Sequence, residues 1–121
     1  MNDTANDTTQ AVSRTNGEHY LWGADCDAWH LVKSSALSVI EERIPPHTDE
    51  VRHVHARSRQ FFYVLSGELT IEVDHREHLL HPHEGLEIAP GQVHQVSNKA
   101  DVDARLLVIS SPPSHGDRTN L

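Results

Sequence analysis

From His19 onward the chain alternates short apolar segments with turn residues: HYLW, AWHLVK, ALSVIEERI, VRHVHA, QFFYVL, ELTIEV, EHLLH, GLEIA, VHQVS and ARLLVIS. The dominant period is two, which predicts about ten short strands and no helix. ELTIEVD is the clearest case, with Leu69, Ile71 and Val73 alternating with Glu68, Thr70, Glu72 and Asp74 as in a strand with one wet face. Ser66-Gly67 before it and Asp74-His75-Arg76 after it read as hairpin turns. Pro45-Pro46, Pro90-Gly91 and Pro112-Pro113 mark corners where a ladder cannot continue. Many short strands at such spacing predict an all-β fold, an antiparallel sandwich or barrel. FFYVL departs from the alternation. If Gln60, Phe62 and Val64 point inward, then Phe61, Tyr63 and Leu65 need a second cover, from a partner subunit or from the chain's own N-terminal part. A homodimer is the expectation.

The first 17 residues, MNDTANDTTQAVSRTNG, carry almost no large apolar side chain and predict a disordered arm. Residues 18–121 then form one small domain, with an extension from about residue 111. A formal net charge of -8 and 36% hydrophobic residues describe an acidic chain without the basic surface that nucleic acid or anionic lipid requires. FFYVL and LLVI are the longest apolar runs, far below the roughly 18 residues of a membrane span. The N-terminus lacks an apolar signal region, and Cys26 is the lone cysteine, so the expected location is the cytoplasm. Asn-Asp-Thr occurs at 2–4 and 6–8, and without a secretion signal it carries no glycosylation argument.

Histidine changes the picture, with 11 in the chain. On a strand, residues i and i+2 share a face, so His53 and His55 aim two imidazoles at one point with Val54 turned away. Gln60 follows after four residues and Gly67 after six more, while APGQVHQVSN supplies His94 and Asn98 on a later strand. The alternative for these histidines is a polar barrel interior satisfied by hydrogen bonds. His47, His75, His78, His81 and His83 fall in or beside predicted turns and read as solvated.

Taken together these segments resemble the two motifs of the cupin superfamily over roughly residues 35–110. The first runs glycine, five residues, His-x-His, three or four residues, Glu, six residues, glycine; HVHARSRQFFYVLSG fits it with Gln60 in place of the glutamate. The second runs glycine, five residues, Pro-x-Gly-x-x-His, three residues, Asn, and here the proline is displaced by one to Pro90. Both leading glycines are histidine, His47 and His83. Because histidine tolerates a left-handed backbone less readily than glycine, those corners are expected to be shaped differently. The resemblance implies a cupin-type antiparallel β-barrel (double-stranded β-helix or jelly roll) holding one divalent transition metal, Fe, Mn, Ni or Zn, on His53, His55, Gln60 and His94.

An amide in the fourth place leaves the centre with formal charge +2, where a carboxylate would leave +1, making it the stronger Lewis acid. That suits a small carboxylate- or sugar-derived ligand and lyase- or isomerase-like chemistry. Cupins with Gln in this place include those acting on unsaturated uronates. A cupin dioxygenase and a non-catalytic small-ligand sensor barrel remain the alternatives. By alternation Phe62 and Val64 supply an apolar pocket wall. Glu42 shares a face with Ile40 and Ile44 and is either the general base or a surface residue. His30 and Arg105 are further pocket candidates on strands whose facing the pattern leaves open. WGADCDAW reads as a core lid rather than a redox centre. The tail SPPSHGDR reads as a family-specific cap with no chemistry assigned.

Overall fold

The computed structural model describes residues 9–121. Twelve strands follow one another: β1 (Glu18–Trp22), β2 (Cys26–Lys33), β3 (Ser38–Ile44), β4 (Thr48–Asp49), β5 (His53–Val54), β6 (Arg59–Ser66), β7 (Leu69–Val73), β8 (Arg76–Leu80), β9 (Gly85–Ile88), β10 (His94–Asn98), β11 (Ala104–Ser111) and β12 (Thr119–Asn120). There is no helix among the described residues. Ten of these strands fall in the apolar segments of the sequence; β4 and β12, two residues each, fall outside them.

The strands form two antiparallel sheets, β1-β2-β3-β11-β6-β9 and β12-β5-β10-β7-β8, with β4 also paired to β10. This is the expected jelly roll. In the first sheet the register sets Ile40, Val108 and Phe62 side by side, and Glu42, Leu106 and Val64 in the next row. Those rows face Leu69, Ile71, Val73 and Val96 of the second sheet across a core that also holds Cys26, Ile44 and Ile88. Burial of these side chains is the main force closing the two layers.

The two turns expected to close hairpins differ in what they do. Asp74 and His75 have φ of 50° and 68° and close the β7–β8 hairpin, with Val73 opposite Arg76. Positive φ at both central residues is the two-residue turn that matches strand twist. Ser66-Gly67, expected as a hairpin, instead carries the chain from one sheet to the other, since β6 pairs with β11 and β9. Gly67 is needed because a Cβ there would lie 2.3 Å from the Asp103 carbonyl oxygen. Close backbone approach, not strand reversal, is its reason.

The corners at His47 and His83 also correct an expectation. Both residues adopt the left-handed conformation, φ 55° and 70°, that a glycine would take more easily. The corners keep that turn and accept the strain, and both side chains point to solvent.

Of the predicted arm, residues 1–8 lie outside the described residues. Within the rest, Ser13 accepts the Gly17 amide through its carbonyl at 2.7 Å, and Arg14 lies over the Trp29 ring and within 3.3 Å of Glu41. Residues 13–17 therefore lie against the outer face of β2 and β3.

Candidate metal centre

His53 stands on β5, His55 just after it, and His94 on β10, whose register sets His94 opposite His53. The three are 3%, 5% and 1% exposed, and their candidate ligand atoms lie within 4.8 Å of one another. Each ring is oriented by its Nδ1. His53 Nδ1 donates to the Val51 carbonyl at 2.8 Å, His94 Nδ1 to the Gln92 carbonyl at 2.9 Å, and His55 Nδ1 to the Asp117 carbonyl. With Nδ1 carrying the proton, each Nε2 keeps a bare lone pair. His94 Nε2 is buried with no partner among the described residues.

Gln60 reaches the same region from the opposite sheet. On β6 it sits across from Ser110 of β11, and its amide nitrogen donates to Ser110 Oγ at 3.1 Å. That bond turns Oε1 the other way, where it is buried and unpartnered. A buried amide oxygen left unpaired costs roughly 1–3 kcal/mol unless a donor or a cation meets it. Gln60 lines one cavity with His53 and His55, and an amide oxygen together with imidazole nitrogens is the donor set of an N/O metal site.

The site opens into a cavity of about 510 Å³, lined by Tyr20, Trp22, Ile40, Glu42, Phe62 and Val108 on the first sheet and by Glu50, His53 and His55 across from them. That size suits a small molecule. Burial shapes its electrostatics. His53 is pushed down to about 3, by desolvation above all, with the hydrogen bond to Val51 opposing and His94, Arg118 and His55 adding to the drop. His94 is lowered for the same leading reason. Glu42 is raised to about 8 by desolvation and then by Glu50, with Arg118 opposing. Glu50 is raised to about 7 by desolvation, against Arg118 and the Val96 amide.

The other sequence candidates divide. Phe62 and Glu42 line the cavity. Val64 is fully buried in the core and is absent from the cavity wall. Arg105 lies on the outward face of β11, where it donates to Glu41 Oε2 at 2.6 Å and takes no part in the histidine cluster. His30, expected in the pocket, is buried and is absent from the cavity wall, its ring 5.3 Å from Tyr20 and 5.6 Å from His115, centroid to centroid, and burial lowers its pKa. Cys26 is buried and its thiol is raised to about 11, chiefly by desolvation, which leaves it unreactive. Sequence reasoning missed Glu50 and the tail residues Ser114, His115, Gly116 and Arg118, all of which line the cavity. None of them belongs to a periodic segment, so the pattern held no signal for them.

The Cupin domain family matches residues 40–110, more than half of the chain. The chain belongs to the cupin family. This cupin is 30% identical over 69 residues to the tetracenomycin polyketide synthase protein TcmJ of Streptomyces glaucescens, covering 57% of the chain and 46% of that protein. It therefore spans under half the length of that relative. Among solved structures it resembles a cupin-superfamily sugar phosphate isomerase from Silicibacter pomeroyi, with TM-score 0.76, 21% identity and coverage of 86% and 76% of the two chains. It also resembles the polyketide cyclase RemF of Streptomyces resistomycificus, with TM-score 0.77, 19% identity and coverage of 94% and 86%. These structural likenesses bear on the fold. No helix among the described residues is long and apolar enough to cross a membrane.

Proposed function

We propose that this cupin is a metal-dependent enzyme of lyase or isomerase type, holding one divalent ion (Fe, Mn, Ni or Zn) on His53, His55, His94 and Gln60. The observation that carries this reading is the buried, unpartnered Oε1 of Gln60, turned away from Ser110 in a cavity that His53 and His55 also line, with His94 clustered on those two histidines. The chemistry a divalent metal supplies when bound there is Lewis acidity toward an oxygen of the ligand, undiminished by ligand charge because all four donors are neutral. An anionic carboxylate or hydroxy-acid group meets no carboxylate in that ligand set. Burial pushes the Glu42 carboxyl up to about 8 in the metal-free protein, which makes it the residue suited to exchange a proton with a ligand carbon or oxygen. Ile40, Phe62 and Val108 give the cavity an apolar wall on the same sheet as Glu42.

A second reading, cyclisation of a larger carbonyl compound of the polyketide kind, is favoured by these apolar walls and by the names of two of the similar proteins, TcmJ and RemF. Both readings use the same proton carrier. The protein works as a homodimer in the cytoplasm, in keeping with the apolar outer side of its first sheet and its one buried thiol.

Untagged protein from metal-replete culture is expected to carry close to one metal equivalent, mostly lost in His53→Ala. Gln60→Glu is expected to keep the metal and to lower turnover of unsaturated-uronate or hydroxy-acid substrates by about tenfold or more. Metal-free protein from such culture would end the proposal.

A further inference from the structure

The tail after β11 has no chemistry legible in its sequence, yet it is tied to the metal centre at several points. Asp117 is buried, and its carboxylate accepts the backbone amides of Ala56, Arg57 and Ser58 at 3.0, 2.9 and 2.8 Å. Those three residues directly follow His55. The Asp117 main-chain carbonyl accepts the proton of His55 Nδ1. Two residues on, β12 pairs with β5 through Asn120 opposite His53, and the Leu121 amide donates to the Arg52 carbonyl at 2.9 Å. The His-x-His segment is thus held along its whole length by residues 117–121.

The three histidines differ in what orients them. His53 and His94 each use the carbonyl two residues earlier in their own segment, Val51 and Gln92, so local chain geometry fixes those rings. His55 has no such local acceptor among its hydrogen bonds; its acceptor lies 62 residues away. Unless the chain at residue 117 is held against the loop after His55, the His55 ring has no hydrogen-bond acceptor to select its tautomer or its rotation.

We infer that Asp117 is a positioning residue for His55, and that residues 114–121 form a strap that completes the metal centre while Ser114, His115, Gly116 and Arg118 wall the cavity. The inference rests on the three-histidine reading given above. The Asp117 carboxylate clamps the loop, and its carbonyl sets the ring. Outer-shell partners of this kind commonly change metal affinity 10- to 100-fold.

The test uses the full chain and two readouts. In metal-free protein, long-range nitrogen–proton spectra of the imidazoles should show all three rings as the Nδ1–H tautomer; in Asp117→Ala, which keeps the main-chain carbonyl but removes the carboxylate clamp that holds it against the ring, His55 alone should become a mixture. In zinc titrations against a chelator, the same variant should bind 10- to 100-fold more weakly than the parent. Gly116→Ala guards against a variant that does not fold. Gly116 has φ 80° and open space around its Cβ position, so the added methyl strains the strap without touching the core. Zinc binding several-fold weaker is expected there too. A His55 tautomer and zinc affinity unchanged in folded Asp117→Ala, or zinc affinity unchanged in Gly116→Ala, would overturn the inference. A parent protein that shows the three tautomers but takes up no zinc would instead count against the metal reading and leave the positioning of His55 standing.

Discussion

Burial acts on the acid and the base of this cavity in opposite directions, and both end up neutral. His53 falls to about 3 and Glu42 rises to about 8, so near pH 7 the first carries no proton on the ring nitrogen facing the cavity while the second keeps its own. The neutral imidazole is ready for a metal without first losing a proton, which removes acid competition from much of the pH range. Glu42 has a consequence for stability. Its ordinary value is 4.5, so between about 4.5 and 8 the folded protein binds a proton that the unfolded chain has released. Its share of stability is therefore whole below 4.5 and is lost as the pH rises through 8. His53 works from the other side: between 6.5 and 3 the unfolded chain holds the proton, and stability falls as the solution is acidified. In metal-stripped protein, Glu42→Gln is expected to gain on the parent by about 1 kcal/mol or more between pH 5 and pH 9, since a tenfold difference in proton affinity between the folded and unfolded chain corresponds to about that much. Urea midpoints of both proteins at the two pH values measure it. Parallel pH profiles would assign the buried proton to another group, with Glu50 the first to examine.

Among the elements, the corners hold the clearest stored strain. At the turn from β8 to β9, His83 keeps φ 70° although its side chain is exposed and its amide donates to the Val64 carbonyl at 2.8 Å. Glycine would keep that hydrogen bond and lose the Cβ conflict. His83→Gly is expected to raise the unfolding free energy by roughly 0.5–1 kcal/mol, read as a higher denaturant midpoint with unchanged slope. A lower midpoint would mean that the ring, 6.3 Å from that of Tyr63, contributes more than the strain costs. His47 is the poorer test because its ring also meets Asp101 at 2.7 Å. These corners mark what the sequence could convey. The strands were legible because period-2 alternation survives in ELTIEV and in the inward set Gln60, Phe62 and Val64. The facing of β11 was not, because Leu106 to Ile109 are all apolar and either parity fits; only the register that puts Ser110 beside Gln60 turns Arg105 outward. Gly67 was misread because a glycine that permits close approach and a glycine that permits a hairpin are the same letter. Asp117 left no trace at all, since its partners are the backbone amides of a loop about 60 residues away, and backbone donors have no sequence signature.

At the scale of the whole molecule, the outward side of the first sheet is the unfinished surface. Antiparallel sheets with one wet face show polar residues there. Here the register lines up Val39, Ile109 and Phe61 in one row and Glu41, Leu107 and Tyr63 in the next. The arm covers part of the second row, where Arg14 reaches Glu41 and Trp29. Among the described residues no such contact covers Phe61, which is 38% exposed with its ring lying where a side chain on Gly85 would have to sit. A row of apolar side chains crossing the middle of a sheet suits a second copy of the same face, because a two-fold axis sets each row against its equivalent. The homodimer we propose should therefore form through Val39, Ile109 and Phe61, leaving the cavity, which opens between the sheets, free on both subunits. Light scattering on micromolar protein is expected to give twice the 13.6 kDa of one chain. Ile109→Lys, which puts a charge at the centre of that contact, is expected to give the single-chain mass with an unchanged far-ultraviolet spectrum. Parent protein that runs as a monomer would remove the dimer and leave Phe61 to be explained as a docking point for something else. A monomeric Ile109→Lys that keeps one metal equivalent would show further that each barrel builds its centre from its own histidines.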